Sequence, residues 1–371
     1  MVRMENNRID KVLLKEYFKE LEYAIKRMGG LTDIDSYRKG FEAELAENLG
    51  LASMIAVNSG TDALHLSLLA LGIGKGDSVI IPDLTYISTA LVVKYTGAEI
   101  IIADVKKDDL TIDEILVERL IKKNTKAIIA VDMFGNPCEM KILRSIADKH
   151  RLFLLEDACQ AFGSRYKGRS VGSLADATAF SFSFYKPLSS LAGNGGAIAC
   201  RDHAIIASVN RFLDLWKTDK VLLSGHHKFH KITLTDLATV RVKLRFSRQI
   251  INHRAKVKKM YEEKLSGING VRFLKDRLDC CSVRENFPVL VKKRNLLYNF
   301  LKKRGIDSDL PYPPIHSVVV SSGKSKDWRF PVTVEYFNSA IHLPLFNFMK
   351  EEECAQVVGA VKEFVNNRRW V

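Results

Sequence analysis

Three groups of residues in this 371-residue chain could act together on one cofactor. Lys186 and Asp157 each follow an apolar, strand-like run, and Ser59, Gly60 and Thr61 lie far upstream. Pyridoxal 5′-phosphate requires an amine to hold its aldehyde, a carboxylate to hold its pyridine nitrogen, and hydrogen-bond donors for its phosphate. The combination therefore predicts an enzyme that uses pyridoxal 5′-phosphate.

The small-residue turn Ser59-Gly60-Thr61 is expected to begin a helix. The first amides of a helix lack an intrahelical acceptor, and the helix dipole favours an anion there, so this turn could bind the cofactor phosphate. The alternative is simple capping of the helix by Ser59 or Thr61, which is a common motif. The turn alone does not decide between the two.

Asp157 is expected at the end of a buried strand at 152–155. A buried carboxylate needs a partner to offset its desolvation, and a protonated pyridine nitrogen would be one. An exposed helix cap is the alternative. Lys186 follows the next strand, which would place both side chains at neighbouring strand ends. As an amine, Lys186 could bind the cofactor covalently and then move the substrate proton.

Tyr86 and Ser181 are further candidates that position suggests. Tyr86 begins a predicted helix after the strand at 78–81, so its ring could stack on the flat cofactor; a core aromatic is the alternative. Ser181 and Ser183 flank Phe182 on a strand, and alternate strand residues face opposite sides. Only one of the two serines is therefore expected to reach the phosphate.

The elements that must position these residues alternate along the first two thirds of the chain. Strands are predicted at 78–81, 100–103, 127–131 and 152–155, and helices at 37–49, 86–96, 111–122 and 140–150. Strands that are apolar on both faces and alternate with helices indicate a mostly parallel sheet covered by helices. Sites in such sheets lie at the carboxyl ends of the strands.

The pattern changes in the last third of the chain. A basic amphipathic helix is predicted from 237 to about 265, with its Lys and Arg residues on a solvated face. Short strands and helices at 294–304 and 351–365 follow. The fold class is therefore predicted as α/β, with a large, mostly parallel-sheet domain at 1–245. A smaller α+β C-terminal domain, which includes the connecting helix, is predicted at 246–371.

Composition argues against several other classes of function. The net charge is +14, but the basic residues are spread along the chain, so nucleic-acid binding is not expected; an anionic small substrate explains part of the excess. No apolar run approaches the ~20 residues of a membrane helix, and the N-terminus lacks the order of a secretion signal, which predicts a cytoplasmic protein. The six cysteines lack metal-type spacing, so neither a metal site nor a disulfide is expected.

Together the motifs resemble one family, the DegT/StrS-type nucleotide-sugar aminotransferases. The matching segments are Ser59-Gly60-Thr61, Pro82-x-x-Thr85-Tyr86, Glu156-Asp157-Ala158-Cys159-Gln160-Ala161, Ser181-Phe182 ahead of Lys186, and Gly195-Gly196. The resemblance continues through 311–316 and 341–345, so it extends over nearly the whole chain. It implies the type I fold of pyridoxal phosphate transferases and a homodimer with its sites at the subunit boundary.

The resemblance also implies an activity and a role for each residue. Members transfer an amino group from an amino acid, here expected to be glutamate, to a keto group of a nucleotide-linked sugar. By motif position Lys186 would be the Schiff-base lysine, Asp157 the pyridinium partner and Tyr86 the ring-stacking residue. The other cofactor-binding positions, around the ring and the phosphate, are Gln160, Ser59, Gly60, Thr61 and Ser181.

Three positions depart from the pattern of the family. Lys231-Ile232-Thr233 stands where members usually have an Asn-Tyr-Arg-like run whose Asn reaches the neighbouring subunit's phosphate. Lys231 could supply a positive contact there. Asn194 replaces a common acidic residue before the paired glycines, and Asp132 replaces a common His. These changes leave the cofactor residues in place and affect the substrate pocket and the contact between subunits.

Two other functions remain compatible with the sequence. One is a different pyridoxal phosphate reaction on a sugar or cyclic ketone; dehydrating members replace the Schiff-base lysine, so Lys186 argues against dehydration. The other is a non-catalytic partner subunit of an active paralogue, which the departures at Lys231, Thr233 and Asn194 keep open.

Overall fold

The computed structural model describes residues 11–27, 34–214, 231–319 and 329–367. Its helices, in chain order, are α1 (Lys11–Arg27), α2 (Ile34–Leu49), α3 (Gly60–Ala70), α4 (Ile87–Thr96), α5 (Glu114–Leu120), α6 (Met140–His150), α7 (His203–Asp214), α8 (Leu234–Arg245), α9 (Ser247–Leu265), α10 (Arg294–Lys303), α11 (Ile315–Val319), α12 (Pro331–Ser339) and α13 (Glu351–Asn366). The strands are β1 (Met54–Val57), β2 (Ser78–Pro82), β3 (Glu99–Ala103), β4 (Thr125–Val131), β5 (Phe153–Asp157), β6 (Arg165–Tyr166), β7 (Arg169–Ser170), β8 (Ala177–Ser181), β9 (Gly196–Cys200), β10 (Arg272–Phe273), β11 (Cys280–Cys281), β12 (Phe287–Leu290) and β13 (Ala340–Leu343). Each strand and helix predicted between residues 37 and 155 coincides with an observed element.

The central sheet has seven strands in the order β1-β9-β8-β5-β4-β2-β3. Adjacent strands from β8 to β3 run parallel. Of these seven strands, only β9 runs in the opposite direction, and it lies between β1 and β8. Strands β2 and β9 are buried along their whole length. The predicted α/β class with a mostly parallel sheet is therefore confirmed.

Strand β4 shows how two layers of helices cover the sheet. Ile129 packs in a core that includes Leu64 of α3, whereas Ile128 packs in an opposite core that includes Leu143 of α6. Successive side chains of a strand point to opposite faces, so the apolar run 127–131 requires cover on both sides. The same geometry brings the carboxyl ends of the parallel strands to one edge of the sheet.

The last third of the chain forms a second, three-stranded antiparallel sheet, β10-β12-β13. It packs with α9, α10 and α13 around a separate core that includes Val257, Leu297 and Val357. Helix α9 also contributes Ile250 to the core beside α2. Since one helix joins both cores, the domain boundary between residues 245 and 246 stays a prediction.

The single helix predicted from 237 to about 265 is wrong. Two helices, α8 and α9, meet at Phe246, whose φ of −100° and ψ of 9° are not helical. The predicted solvated basic face is also wrong in part, because Arg241, Lys243 and Arg254 are buried. Lysine and arginine at helical spacing look the same in sequence whether they meet water or buried acceptors on neighbouring segments.

Three other features of the described segments bear on the choice of chemistry. Within these ranges, no helix is long and apolar enough to cross a membrane. The described residues also contain no group of three or more His, Cys, Asp or Glu side chains that could hold a metal ion. All six cysteines are free thiols, of which Cys281 is exposed and Cys138, Cys200 and Cys354 are buried.

Candidate active site

A cavity of about 570 Å³ opens at the carboxyl edge of the central sheet. The ends of β4, β5 and β8, the starts of α3 and α4, and segments of the last third of the chain line it. It brings together eight predicted site residues: Ser59, Gly60, Thr61, Tyr86, Asp157, Gln160, Ser181 and Lys186. Residues far apart in sequence therefore meet in one place.

Helix α3 begins at Gly60, and Ser59 caps it. The Ser59 hydroxyl accepts a hydrogen bond from the amide of Asp62 at 3.0 Å, so this side chain is engaged in capping. The Thr61 hydroxyl donates to the Ser88 hydroxyl at 3.0 Å. The first amides of α3 nevertheless lie at the cavity, because Gly60 and Thr61 both line it. Capping and an anion-binding helix start are thus compatible here.

Close packing holds this helix start against strands β8 and β9. A β-carbon at Gly60 would lie 2.8 Å from the Cys159 sulfur and 2.9 Å from the Ser181 β-carbon. A β-carbon at Gly196 would lie 2.5 Å from the Ser59 carbonyl carbon. Larger residues at either position would push α3 away from the sheet, which explains in physical terms why both motifs carry glycine.

Asp157 forms the floor of the cavity at the end of β5. Its side chain is buried, and its Oδ2 accepts a hydrogen bond from the Thr89 hydroxyl at 2.9 Å. Its Oδ1 accepts from the amide of Cys159 at 3.2 Å. The alternative of an exposed helix cap is therefore wrong, and the carboxylate is held with a fixed orientation.

Lys186 contacts a carboxylate that the sequence did not suggest. Its Nζ lies 3.0 Å from Oε1 and 2.9 Å from Oε2 of Glu285. The two side chains are 12% and 8% exposed. Glu285 is 99 positions away in sequence, at the start of the polar pair before β12, and nothing local linked it to the lysine.

Tyr86 stands at the mouth of the cavity with its side chain half exposed, so the alternative of a core aromatic is wrong. Its ring meets the ring of Tyr312 edge to face, with centroids 5.2 Å apart. Gln160, which also lines the cavity, is buried, and its Oε1 accepts a hydrogen bond from the amide of Phe134 at 2.8 Å. Tyr312 belongs to the segment 311–316 that the resemblance included without a role.

Lys231 does not line the described cavity. Its Nζ lies 2.9 Å from Oδ1 of Asp35 and 3.5 Å from Oδ1 of Asp214, so it pairs within its own chain. The Lys231 ammonium holds the pKa of Asp35 below its usual range. A contact from Lys231 to the phosphate of a neighbouring subunit stays a prediction.

The wall opposite Asp157 comes from the last third of the chain and includes Asn286, Asp309, Tyr312 and His342. His342 is buried, and its Nε2 shares a hydrogen bond with the Tyr336 hydroxyl at 2.7 Å. Burial lowers the pKa of His342 to about 3, so the imidazole is neutral at physiological pH. The resemblance covered Tyr312 and His342 through the segments 311–316 and 341–345, but it gave neither of them a role.

A pair of buried carboxyl groups lies behind the floor, at the neighbouring ends of β4 and β5. Asp132 accepts from the amide of Cys138 at 2.9 Å, and Glu156 accepts from the amide of Gly172 at 2.6 Å. Burial is the main cause that raises the pKa of both groups, and the Glu156 charge raises the pKa of Asp132 further. Two adjacent carboxylates favour holding a proton between them.

Comparison with known proteins places this site in a family. The sequence profile of the DegT/DnrJ/EryC1/StrS aminotransferase family matches residues 14–362. The chain is 31% identical to the dTDP-3-amino-3,4,6-trideoxy-alpha-D-glucose transaminase of Streptomyces venezuelae, with 98% of this chain and 97% of that protein covered. It is 28% identical to the GDP-perosamine synthase of Escherichia coli O157:H7, with 94% and 96% covered.

Solved structures agree with this result. S. venezuelae DesV in complex with a ketimine intermediate has a TM-score of 0.86 at 31% identity and covers 99% of this chain and 100% of that one. The 3-amino-5-hydroxybenzoic acid synthase has a TM-score of 0.84 at 22% identity, with 96% and 97% covered, and supports the fold alone. The predicted type I transferase fold and the predicted resemblance are confirmed. The chain belongs to the DegT/DnrJ/EryC1/StrS aminotransferase family.

Proposed function

We propose that this aminotransferase uses pyridoxal 5′-phosphate to transfer an amino group from an amino acid to a keto group of a nucleotide-linked sugar. The observation that carries the proposal is the placement of Lys186, Asp157 and the start of α3 around one cavity. Relatives named as transaminases of dTDP-sugars support the substrate class. Glutamate is our proposal for the amino donor.

The residues present fit the cofactor. Gly60 has no room for a side chain between the Cys159 sulfur and Ser181, so the helix start can approach a phosphate closely. Asp157 offers a buried carboxylate fixed by two donors, which suits a protonated ring nitrogen. Bound there, pyridoxal phosphate would supply an aldehyde that captures amines and a ring that withdraws electrons from the substrate carbon.

Each predicted residue then has a physical task in this chain. Lys186 would hold the cofactor covalently and, once displaced by the substrate amine, carry a proton to and from the reacting carbon. Asp157 would keep the ring nitrogen protonated, and Tyr86 would cover one face of the ring. Ser59 acts by capping the helix whose amides, with Ser181, would hold the phosphate.

The described cavity wall does not carry the positive charge expected for binding the two phosphates of a nucleoside diphosphate. Lys186 is the one lysine or arginine among its lining residues, beside the carboxylates of Asp157, Glu285 and Asp309. The net charge of +14 is therefore located elsewhere in the chain. In a homodimer, which we also propose, a second copy could bring basic residues to the cavity mouth.

The two rival functions make different demands on the site. A non-catalytic partner subunit would not need Lys186 and Asp157 together in one cavity, yet both line it. Another pyridoxal phosphate reaction would use the same floor and would differ in the acceptor. An experiment that identifies the amino acceptor, described next, therefore separates the proposed function from both rivals.

The test starts from enzyme that an amino acid has converted to the form of the cofactor that carries the amino group. Adding a panel of nucleotide-linked keto sugars should restore the visible absorbance of the lysine-bound cofactor with at least one of them. Lys186→Ala serves as the control, since it cannot rebuild that absorbance. No return with any keto sugar, but return with a cyclic ketone lacking a nucleotide, would contradict the proposed substrate class.

A further inference from the structure

The ion pair between Lys186 and Glu285 lies in the cavity wall, where the proposed reaction would occur. Both carboxylate oxygens contact the lysine nitrogen, at 3.0 and 2.9 Å. A two-oxygen contact fixes the end of a side chain whose four-carbon stem is otherwise flexible. The nitrogen that the reaction needs is thus held at one position.

One buried network fixes the main chain on both sides of this pair. Arg254 donates through Nη2 to the carbonyl oxygen of Glu285 at 2.7 Å and through Nη1 to Oδ1 of Asn347 at 2.9 Å. Asn347 donates to the carbonyl oxygen of Pro187, the residue after Lys186, at 2.8 Å. Arg254 and Asn347 are each 1% exposed. These two side chains therefore set the distance between the lysine and its carboxylate.

We propose that Glu285 is a positioning residue for Lys186: its two carboxylate oxygens hold the lysine nitrogen in place, and it accepts a proton from that nitrogen when the amine reacts. This inference rests on the proposed function. Capture of an aldehyde by Lys186, whether formaldehyde or the aldehyde that the cofactor would supply, would replace a C=O bond with a C=N bond, and the oxygen would leave as water. Two hydrogens of the ammonium leave in that water, and the third passes as a proton to Glu285.

A salt bridge that only stabilises the fold would behave differently. Its loss would disturb the cavity and slow every reaction of Lys186 together. A positioning role predicts effects of opposite sign. Capture of a small aldehyde becomes faster, because two carboxylate oxygens no longer hold the nitrogen in place, whereas turnover becomes slower, because the nitrogen is no longer directed at the reacting carbon.

The first measurement uses the full chain from which any bound cofactor has been removed and does not depend on the proposed reaction. Reductive methylation with formaldehyde and borohydride, followed by peptide mass spectrometry, gives the labelling rate of Lys186. We expect Glu285→Gln to raise that rate by about tenfold, as loss of a charge-assisted contact implies. Glu285→Asp should give an intermediate rate, and Asp108→Asn, a carboxylate change at an exposed residue that does not line the cavity, should leave the rate unchanged.

The second measurement uses the loaded enzyme. For Glu285→Gln, kcat should fall by about tenfold or more while KM for the amino acid changes by less than about threefold, since the contact acts on the reacting nitrogen and not on substrate binding. Glu285→Asp should recover part of kcat. Equal Lys186 labelling in wild type and Glu285→Gln, or labelling and turnover that both decrease, would overturn the inference.

The two proposals fail in different ways. If wild-type enzyme aminates no keto sugar, the proposed function is wrong, although the labelling rates still report whether Glu285 holds Lys186. If wild-type enzyme aminates a keto sugar and Glu285→Gln changes neither labelling nor kcat, the function stands and the role of Glu285 is wrong.

Discussion

Besides the chemical task that we propose for it, Lys186 has a structural one, because its ammonium pairs with the buried carboxylate of Glu285. We expect Lys186→Ala to lower turnover by at least about 10²-fold, the usual contribution of an acid–base group. We also expect the free energy of unfolding to fall by about 1–3 kcal/mol, because Glu285 is left buried without that partner.

Urea unfolding and steady-state kinetics test both parts of this expectation. The double variant Lys186→Ala/Glu285→Gln is the control, since it removes the unpaired charge and should recover most of the stability but none of the turnover. More than about a tenth of wild-type activity in Lys186→Ala would contradict the assignment.

Asp132 and Glu156 give a second prediction, on the pH dependence of stability. Burial raises the pKa of Glu156 to about 7 and raises the pKa of Asp132 as well. A carboxyl group with a raised pKa in the folded state binds more protons folded than unfolded. Its contribution to stability is therefore complete below the ordinary carboxyl pKa of about 4 and is lost as the pH rises through the folded value.

Asp132→Asn removes one of these two titrations and keeps an oxygen that can accept from the amide of Cys138. The variant should gain stability relative to wild type as pH rises above the ordinary carboxyl pKa of about 4, by up to about 1.4 kcal/mol per pH unit. Urea midpoints at several pH values measure the difference. The exposed residue Asp108 provides the control Asp108→Asn, which should show no such trend. A constant difference across the pH series would contradict the shared proton.

At the scale of elements, the docking of α3 on β9 depends on the small size of Gly196. A β-carbon there would lie 2.5 Å from the carbonyl carbon of Ser59, so Gly196→Ala must displace the helix start. We expect a loss of about 1–3 kcal/mol in the free energy of unfolding, together with weaker cofactor binding, because the phosphate-binding amides move.

Gly359 provides the matched control for this prediction. It lies inside α13, and nothing stands within 4 Å of an added β-carbon. Gly359→Ala should therefore stabilise the protein by about 0.5–1 kcal/mol through helix propensity alone. Thermal unfolding and pyridoxal phosphate titration of both variants decide the matter: a Gly196→Ala protein with wild-type stability and affinity would show that this packing is not required.

The elements also show which structural features the sequence patterns predict correctly and which they do not. Helix 140–150 was predicted with the bounds that the structure has, because its apolar residues recur at helical spacing and face one core. The region 237–265 was predicted as one solvated helix because the pattern does not show which acceptors surround a basic side chain. Lys243, for example, donates to the carbonyl and hydroxyl oxygens of Ser189, 54 positions earlier in the chain.

At the scale of the whole molecule, the predicted site residues came from strand ends, which topology brings to one edge. Eight of these residues line the cavity, and Lys231 does not. Glu285 and His342 were not predicted as site residues, because they reach the cavity only through the packing of the second sheet on the first. Local sequence patterns contain no information about how the two sheets pack against each other.

Lys231 tests whether two copies of the chain complete a site together. If it reaches the phosphate of a neighbouring subunit, Lys231→Ala should weaken pyridoxal phosphate binding by about tenfold or more, and the effect should shrink with added salt. Asp35→Asn is the control, since it weakens the pairing of Lys231 within its own chain, where Asp214 is the second partner, and leaves the ammonium in place. Equal affinities for wild type and Lys231→Ala across the salt series would contradict the contact between subunits.

The reversed direction of β9 has a consequence for how such an enzyme can vary. Because β8 and β9 run antiparallel, with Ser181 opposite Gly196, the chain leaves the sheet and re-enters it at the same edge. The segment 182–195, which carries Lys186, is therefore the loop of a hairpin and not a crossover. A hairpin loop can gain or lose residues without shifting the register of either strand. The lysine that we propose as catalytic thus lies on a loop whose length evolution, or an engineer, can change to reshape the cavity while the strands stay in place.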